Sequence, residues 1–213
     1  MAHYFWRCVY RAFHADGREK CGWCHTMKAI ESSEFDKSAV LNQCFDCLVS
    51  LGLESTTMRS ITNATGLKSS SLYYWFKNKD EIISEATNYG LRQIIDELFT
   101  RAYEHLNNLD FLFKQFPSII IEYKNKLRII YQVLTSPQYG ERLRESCSDL
   151  SLAYASYGRV LSDRMGCDYK KLVPYVQLSI SAITNFILWE DDVKLRSQLS
   201  EIHSQVKKLV SGN

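Results

Sequence analysis

The chain has 213 residues, 46% apolar and 23% charged, with a formal net charge of +2; this suits one large or two small domains with a buried core and excludes a disordered chain. Nine glycines and three prolines leave few breaks, which favours helices over a many-turned β protein. Apolar runs reach only four or five residues, as around Ile119-Ile120-Ile121, and the start Met1-Ala2-His3-Tyr4-Phe5-Trp6-Arg7-Cys8 lacks a signal-like apolar stretch, so membrane and exported readings are set aside and a cytoplasmic location is expected.

The first 26 residues carry the whole positive excess, Arg7, Arg11, Arg18 and Lys20 against Asp16 and Glu19. They also hold three of the five His, two of the four Trp and three of the seven Cys, with no helical period. Met27 then opens an ordinary polar leader into a helix. The break marks residues 1–34 as an atypical extension: translation starting at Met27, a small Cys/His metal or redox module, or a separate arm. Cys21-x-x-Cys24 and Cys44-x-x-Cys47 share a C-x2-C-x19-C-x2-C spacing, within the range that reads as zinc. Cys21 to His25 also matches the C-x-x-C-H of covalent haem attachment, which would need export. Cys44, however, falls among Val40, Leu41, Phe45, Leu48 and Leu51 on one helix face, where a free thiol acts as a small core residue. Seven cysteines without a signal point to reduced thiols. No metal or other cofactor is expected. The competing functional reading is a thiol- or zinc-dependent protein using Cys21, Cys24 and His25, with the helical body as scaffold.

A helix is predicted from Asp36 to Leu51, stopped by Gly52. Ser55-Thr56-Thr57 offers capping hydroxyls for a short helix from Met58 to Thr65, with Ile61 and Ala64 inward. Gly66 makes a tight turn, and Ser69-Ser70-Ser71 starts a third helix with Leu72, Tyr73 and Phe76 near its inner face. Two short helices around a glycine turn, packed on a longer one, make a helix-turn-helix. From Thr57 to Lys79 there are four basic residues (Arg59, Lys68, Lys77, Lys79) and no acidic one, although the chain averages an acid every nine residues. That is the charge a phosphate-facing surface wants.

At these residues the chain resembles the TetR/AcrR family of transcriptional regulators. The resemblance rests on Gly52-Leu53-Glu54-Ser55-Thr56-Thr57-Met58-Arg59-Ser60-Ile61, then Thr65-Gly66-Leu67, then Ser71-Leu72-Tyr73-Tyr74-Trp75-Phe76-Lys77-Asn78-Lys79-Asp80-Glu81. Ser70 departs from the family's usual Gly or Pro, and Trp75 from its commoner His; these bear on which operator is read. The resemblance implies an all-α chain, with a DNA-binding domain over 35–80 and an effector-binding and dimerisation domain over 81–213. It implies that Thr57 caps its helix and touches a phosphate, and that Arg59 reads guanine or holds backbone. Lys68, Ser69 and Ser70 would face base edges and Ser71 a phosphate. Tyr73 and Tyr74 would divide between backbone contact and packing, and Lys79 would meet phosphate at a helix start.

Beyond Asp80 the period predicts helices over 80–105, 111–123 (disturbed at Pro117), 127–134, 139–165, 169–188 and 193–209. Most mid-chain aromatics read as core. The resemblance implies a cavity among them for a small apolar or amphipathic effector, assigned to Phe99, Tyr103, Phe116, Tyr123, Tyr131 and Tyr154. Leu195, Leu199, Ile202, Val206 and Leu209 form a heptad-like seam. With Val176, Ile180, Ile183 and Ile187 they are the expected interface of a homodimer, although periodicity alone does not separate that from packing within one chain. No catalytic constellation stands out: His105 and His203 have no nucleophile or carboxylate pattern, and there is no phosphate-binding glycine loop. The expected function is a ligand-released repressor acting as a homodimer on a palindromic operator in double-stranded DNA.

Overall fold

The computed structural model describes residues 24–104, 109–145, 159–160 and 162–211, with side chains from residue 37 onward except at 102, 103, 109 and 112. No strand occurs among the described residues. The chain divides into two units between Val40 and Leu41. The described residues 24–40 of the first are helical; the second holds the helix-turn-helix and the helical body.

Helix α1 (Cys24–Leu51) starts well before the predicted Asp36. Its end falls as expected, because Gly52 adopts φ 83, the left-handed stop glycine takes without strain, and its N–H donates to the Leu48 carbonyl at 2.9 Å. Cys44, Phe45, Cys47 and Leu48 are buried, whereas Leu51, expected inward, is exposed. Helix α2 (Met58–Thr65) is opened by a reciprocal cap: the Thr57 hydroxyl accepts from the Ser60 N–H at 3.2 Å, and the Ser60 hydroxyl accepts from the Thr57 N–H at 2.9 Å. After Gly66, also left-handed, comes α3 (Ser69–Trp75). Ile61, Leu72 and Phe76 are buried almost completely, as are Ile82, Ile83 and Ala86 of α4 (Lys79–Glu104). These side chains are the core on which the short helices stand.

Helix α5 (Leu109–Glu122) runs unbroken through Pro117, which is buried. The break comes instead at Tyr123, between α5 and α6 (Lys124–Thr135). After α6 the chain turns at 137–139, and residues 140–145, 159–160 and 162–164 are helical, up to a left-handed Gly166. Asp168 caps α7 (Tyr169–Trp189), accepting from the Lys170 N–H at 2.9 Å. A left-handed Glu190, ion-paired to Lys124 and Arg128, leads into α8 (Asp192–Ser211). Helix α8 packs on both α7 and α5. Asp110 of α5 fastens the second contact, with Lys207 Nζ at 2.9 Å and His203 Nε2 at 3.1 Å, and the His203 ring stacks on Phe113 at 4.4 Å.

Leu195, Leu199, Ile202 and Val206 are buried within the single chain, where α8 packs on α7 and α5. By length and composition α7 is also apolar enough to cross a membrane, which counting uninterrupted apolar runs did not register. Its apolar residues are spread around the helix: Leu172, Ala182, Phe186 and Ile187 are buried, Ile183 is half-buried, and Val176 and Ile180 are each 55% exposed.

Candidate nucleic-acid interface

Across the acid-free stretch 57–79 most polar side chains are exposed. Thr57, Arg59, Lys68, Ser69, Ser70, Tyr73, Tyr74 and Lys77 are exposed, and Ser71 is half-buried. Tyr73 is 49% exposed and Tyr74 85%, so neither phenol is a core group; the Tyr74 and Trp75 rings meet edge-on, with centroids 6.5 Å apart. The surface is held from below. The Thr65 hydroxyl donates to the Ile61 carbonyl at 2.9 Å and accepts from the Leu67 N–H at 3.3 Å, spanning the Gly66 turn. The buried Thr56 hydroxyl donates to the Gly52 carbonyl at 2.7 Å.

Lys79 stands apart from the other basic residues. It is half-buried, and its Nζ donates to the Thr56 carbonyl at 3.2 Å, tying the start of α4 to the corner just before the Thr57 cap. The α4 N-terminus is also already served. Asn78 Oδ1 accepts from the Glu81 N–H at 2.9 Å, the Glu81 carboxylate accepts from the Lys77 N–H, and Asp80 and Glu81 place two negative charges in the first turn. Asn78 thus takes one first-turn amide, and the two carboxylates make the helix start less attractive to a phosphate. The next residue, Asp80, ties outward: Gln138 Nε2 lies 3.1 Å from each of its carboxylate oxygens. Asn78 and Glu81 have the spacing of a capping box and were readable as such; Gln138 carried no sequence signal.

The residues assigned to an effector cavity fall into three groups. The side chain of Tyr103, and Tyr154 altogether, lie outside the described residues. Phe99 and Phe116 are half-buried. Tyr123 and Tyr131 have partners within the chain. The Tyr123 phenol donates to the Glu97 carboxylate, and burial, reinforced by that carboxylate, pushes the phenol up. The same bond, helped by Arg101, holds Glu97 below the usual carboxylate range despite its partial desolvation. Tyr131 and Thr184 share a hydrogen bond of 2.6 Å between hydroxyls. An open cleft of about 460 Å³ lies elsewhere, between α1 and α2, lined by Gln43, Asp46, Cys47, Ser50, Leu51, Ser60, Asn63 and Ala64.

Among the described residues no group of three or more His, Cys, Asp or Glu could hold a metal ion. Cys21 and the side chains of Cys24 and His25 lie outside the described ones. Cys44 and Cys47 are free and buried, and burial, with a smaller push from Cys47, raises the Cys44 thiol to about 12, so it stays protonated and inert.

Residues 45–86, which include all of α2 and α3, match the bacterial regulatory proteins of the tetR family. Over 87 residues the chain is 31% identical to the HTH-type transcriptional repressor KstR2 of Mycolicibacterium smegmatis. The similarity covers 38% of this chain and 40% of the relative, so the chain spans less than half the length of that protein. No solved structure matches. The capped, acid-free helix-turn-helix lies inside the matching stretch, so over residues 45–86 the chain is similar to the DNA-binding part of the tetR family of bacterial regulatory proteins.

Proposed function

We propose that the chain is a ligand-released transcriptional repressor that acts in the cytoplasm as a homodimer on a palindromic operator. In this reading residues 35–80 bind DNA, 81–213 form the effector and dimerisation body, and 1–34 are an extension. The observation that carries it is the helix-turn-helix surface, on which Thr57, Arg59, Lys68, Ser69, Ser70, Tyr73 and Tyr74 are exposed together with no carboxylate between Thr57 and Lys79. Neutralised phosphates supply most non-specific affinity, and exposed hydroxyls and rings at the second short helix supply base contacts.

The dimer is supported by the outer face of α7. Val176 and Ile180, one turn apart on the same side, are exposed there, with Leu188 and Trp189 at the end of α7 and Val193 at the start of α8. An apolar strip on a helix already packed on its other side is what a second copy covers, and a two-fold pair suits a two-fold operator. Ligand release is supported by the Asp80–Gln138 contact, which connects the body to the residue following Lys79. Two recognition helices fit B-form DNA only about one helical turn, 34–36 Å, apart, so small movements of that connection cost affinity.

Duplex binding across a salt series tests the reading. Affinity should fall steeply as salt rises, with a slope set by the phosphates contacted. A chain with no salt-sensitive duplex binding would refute it.

A further inference from the structure

The exposed face of α3 has a chemistry that narrows what it can read. Ser69, Ser70, Tyr73 and Tyr74 are exposed, and the i,i+4 spacing sets Ser69 above Tyr73 and Ser70 above Tyr74 in two neighbouring rows. From Ser69 to Trp75 there is no Arg, Lys, Asn, Gln, Asp or Glu. Those are the side chains that grip guanine or adenine with paired hydrogen bonds or accept from the cytosine amino group. The residues of that kind closest in sequence are Lys68, just before α3, and Lys77 and Asn78, just after it, with Asn63 and Arg59 on α2. A serine hydroxyl both donates and accepts, so it tolerates any base pair. Discrimination along α3 therefore falls to the apolar ring surface of Tyr73 and Tyr74. The apolar group that base pairs show in the major groove is the thymine 5-methyl.

Resting on the DNA-binding reading above, we propose that α3 reads thymine, through methyl contacts with the Tyr73 and Tyr74 rings, and that guanine readout is confined to positions reached by Lys68 and Arg59. The competing use of a tyrosine is a phosphate contact through its hydroxyl; it gives a different outcome below.

Duplexes are selected from a random pool with the full chain, and each thymine of the winning half-site is replaced singly by uracil, which lacks only the methyl. One or two positions per half-site should lose about fourfold in affinity, the equivalent of one buried methyl. Tyr73→Ala or Tyr74→Ala should erase the thymine–uracil difference, and the Phe variants should keep it, all with melting points matched to the parent. Uracil tolerated at every position overturns the proposal, and so does Phe failing as badly as Ala, since that marks a hydroxyl–phosphate contact. A chain that selects no duplex overturns the DNA-binding reading itself, and this proposal with it.

Discussion

Gly90 is buried in the middle of α4, where helix propensity alone argues for alanine. A Cβ built there would lie 2.3 Å from Phe45 Cε1, 2.4 Å from Cδ1 and 2.5 Å from Cζ. Non-bonded carbons settle at about 3.5–4.0 Å, so the ring must retreat by about 1 Å or tilt. Phe45 is only 1% exposed, so it has no space to retreat into without moving α1. Alanine gains up to about 1 kcal/mol of helix propensity over glycine. Overpacking of this kind costs about 1–3 kcal/mol, and displacing the ring toward solvent forfeits a further share of its burial, about 1.5–3 kcal/mol for a complete loss. The net expectation for Gly90→Ala is a loss of about 1–2 kcal/mol, a drop in melting temperature of roughly 2–8 °C for a chain of this length. Scanning calorimetry of the parent, Gly90→Ala, Phe45→Leu and the double variant measures it. The double should recover stability relative to the sum of the singles, because the smaller Leu makes room for the new methyl. A Gly90→Ala protein melting at or above the parent, or strictly additive singles, would refute the reasoning.

The remaining predictions test separate contacts. Ile180→Glu should yield a monomer of near-parental melting temperature in sedimentation, whereas Ile202→Glu, at a side chain only 8% exposed, should cost several kcal/mol and unfold the body; a parent that is itself monomeric removes the α7 dimer. Lys79→Ala should weaken binding to all duplexes alike and lower stability by about 1 kcal/mol, the charged hydrogen bond to Thr56 being discounted for its partial exposure; unchanged melting would show that bond to be idle. Glu97 has its carboxyl lowered by Tyr123 and Arg101, so its contribution is present above the unfolded value near 4.5 and is lost as pH falls through the lower folded value. Glu97→Gln should therefore flatten the acid loss of stability below about pH 4.5, and parallel acid profiles for the two proteins would count against the contact.

Local chemistry explains what the sequence made legible. Gly52 and Gly66 mark their turns because only glycine takes a left-handed stop at no cost, and Thr57 with Ser60 marks a helix start because its orphan amides need nearby hydroxyls. The acid-free stretch marks a face because charge follows exposure. What stayed hidden depends on residues far apart in the chain. The sequence offered Lys79 as a phosphate ligand, and only the fold adds that its ammonium also donates to the Thr56 carbonyl, 23 residues away. Tyr74 was undecided between packing and contact because a recognition helix of seven residues is too short for its period to assign a side; its 85% exposure assigns it. The start of α1 was placed late because polar residues 27–35 carry no apolar period, yet helical backbone needs none where propensity suffices.

The two C-terminal helices carry this further. A heptad-like seam on α8 states that a partner helix exists and not which chain supplies it. Here α7 and α5 of the same chain supply it, and Leu195, Leu199, Ile202 and Val206 vanish from the surface. The apolar surplus is then on α7, whose composition is rich enough to pass for a membrane span. A helix that packs on a neighbour along one side and still shows Val176 and Ile180 on another has more apolar surface than one chain can cover. In the single chain Ile202 is 8% exposed and Ile180 55%. The pair Ile180→Glu and Ile202→Glu therefore separates assembly from folding: the first should change mass without changing melting, the second melting without a stable monomer. Identical behaviour of the two variants would mean that α7 and α8 form one indivisible surface.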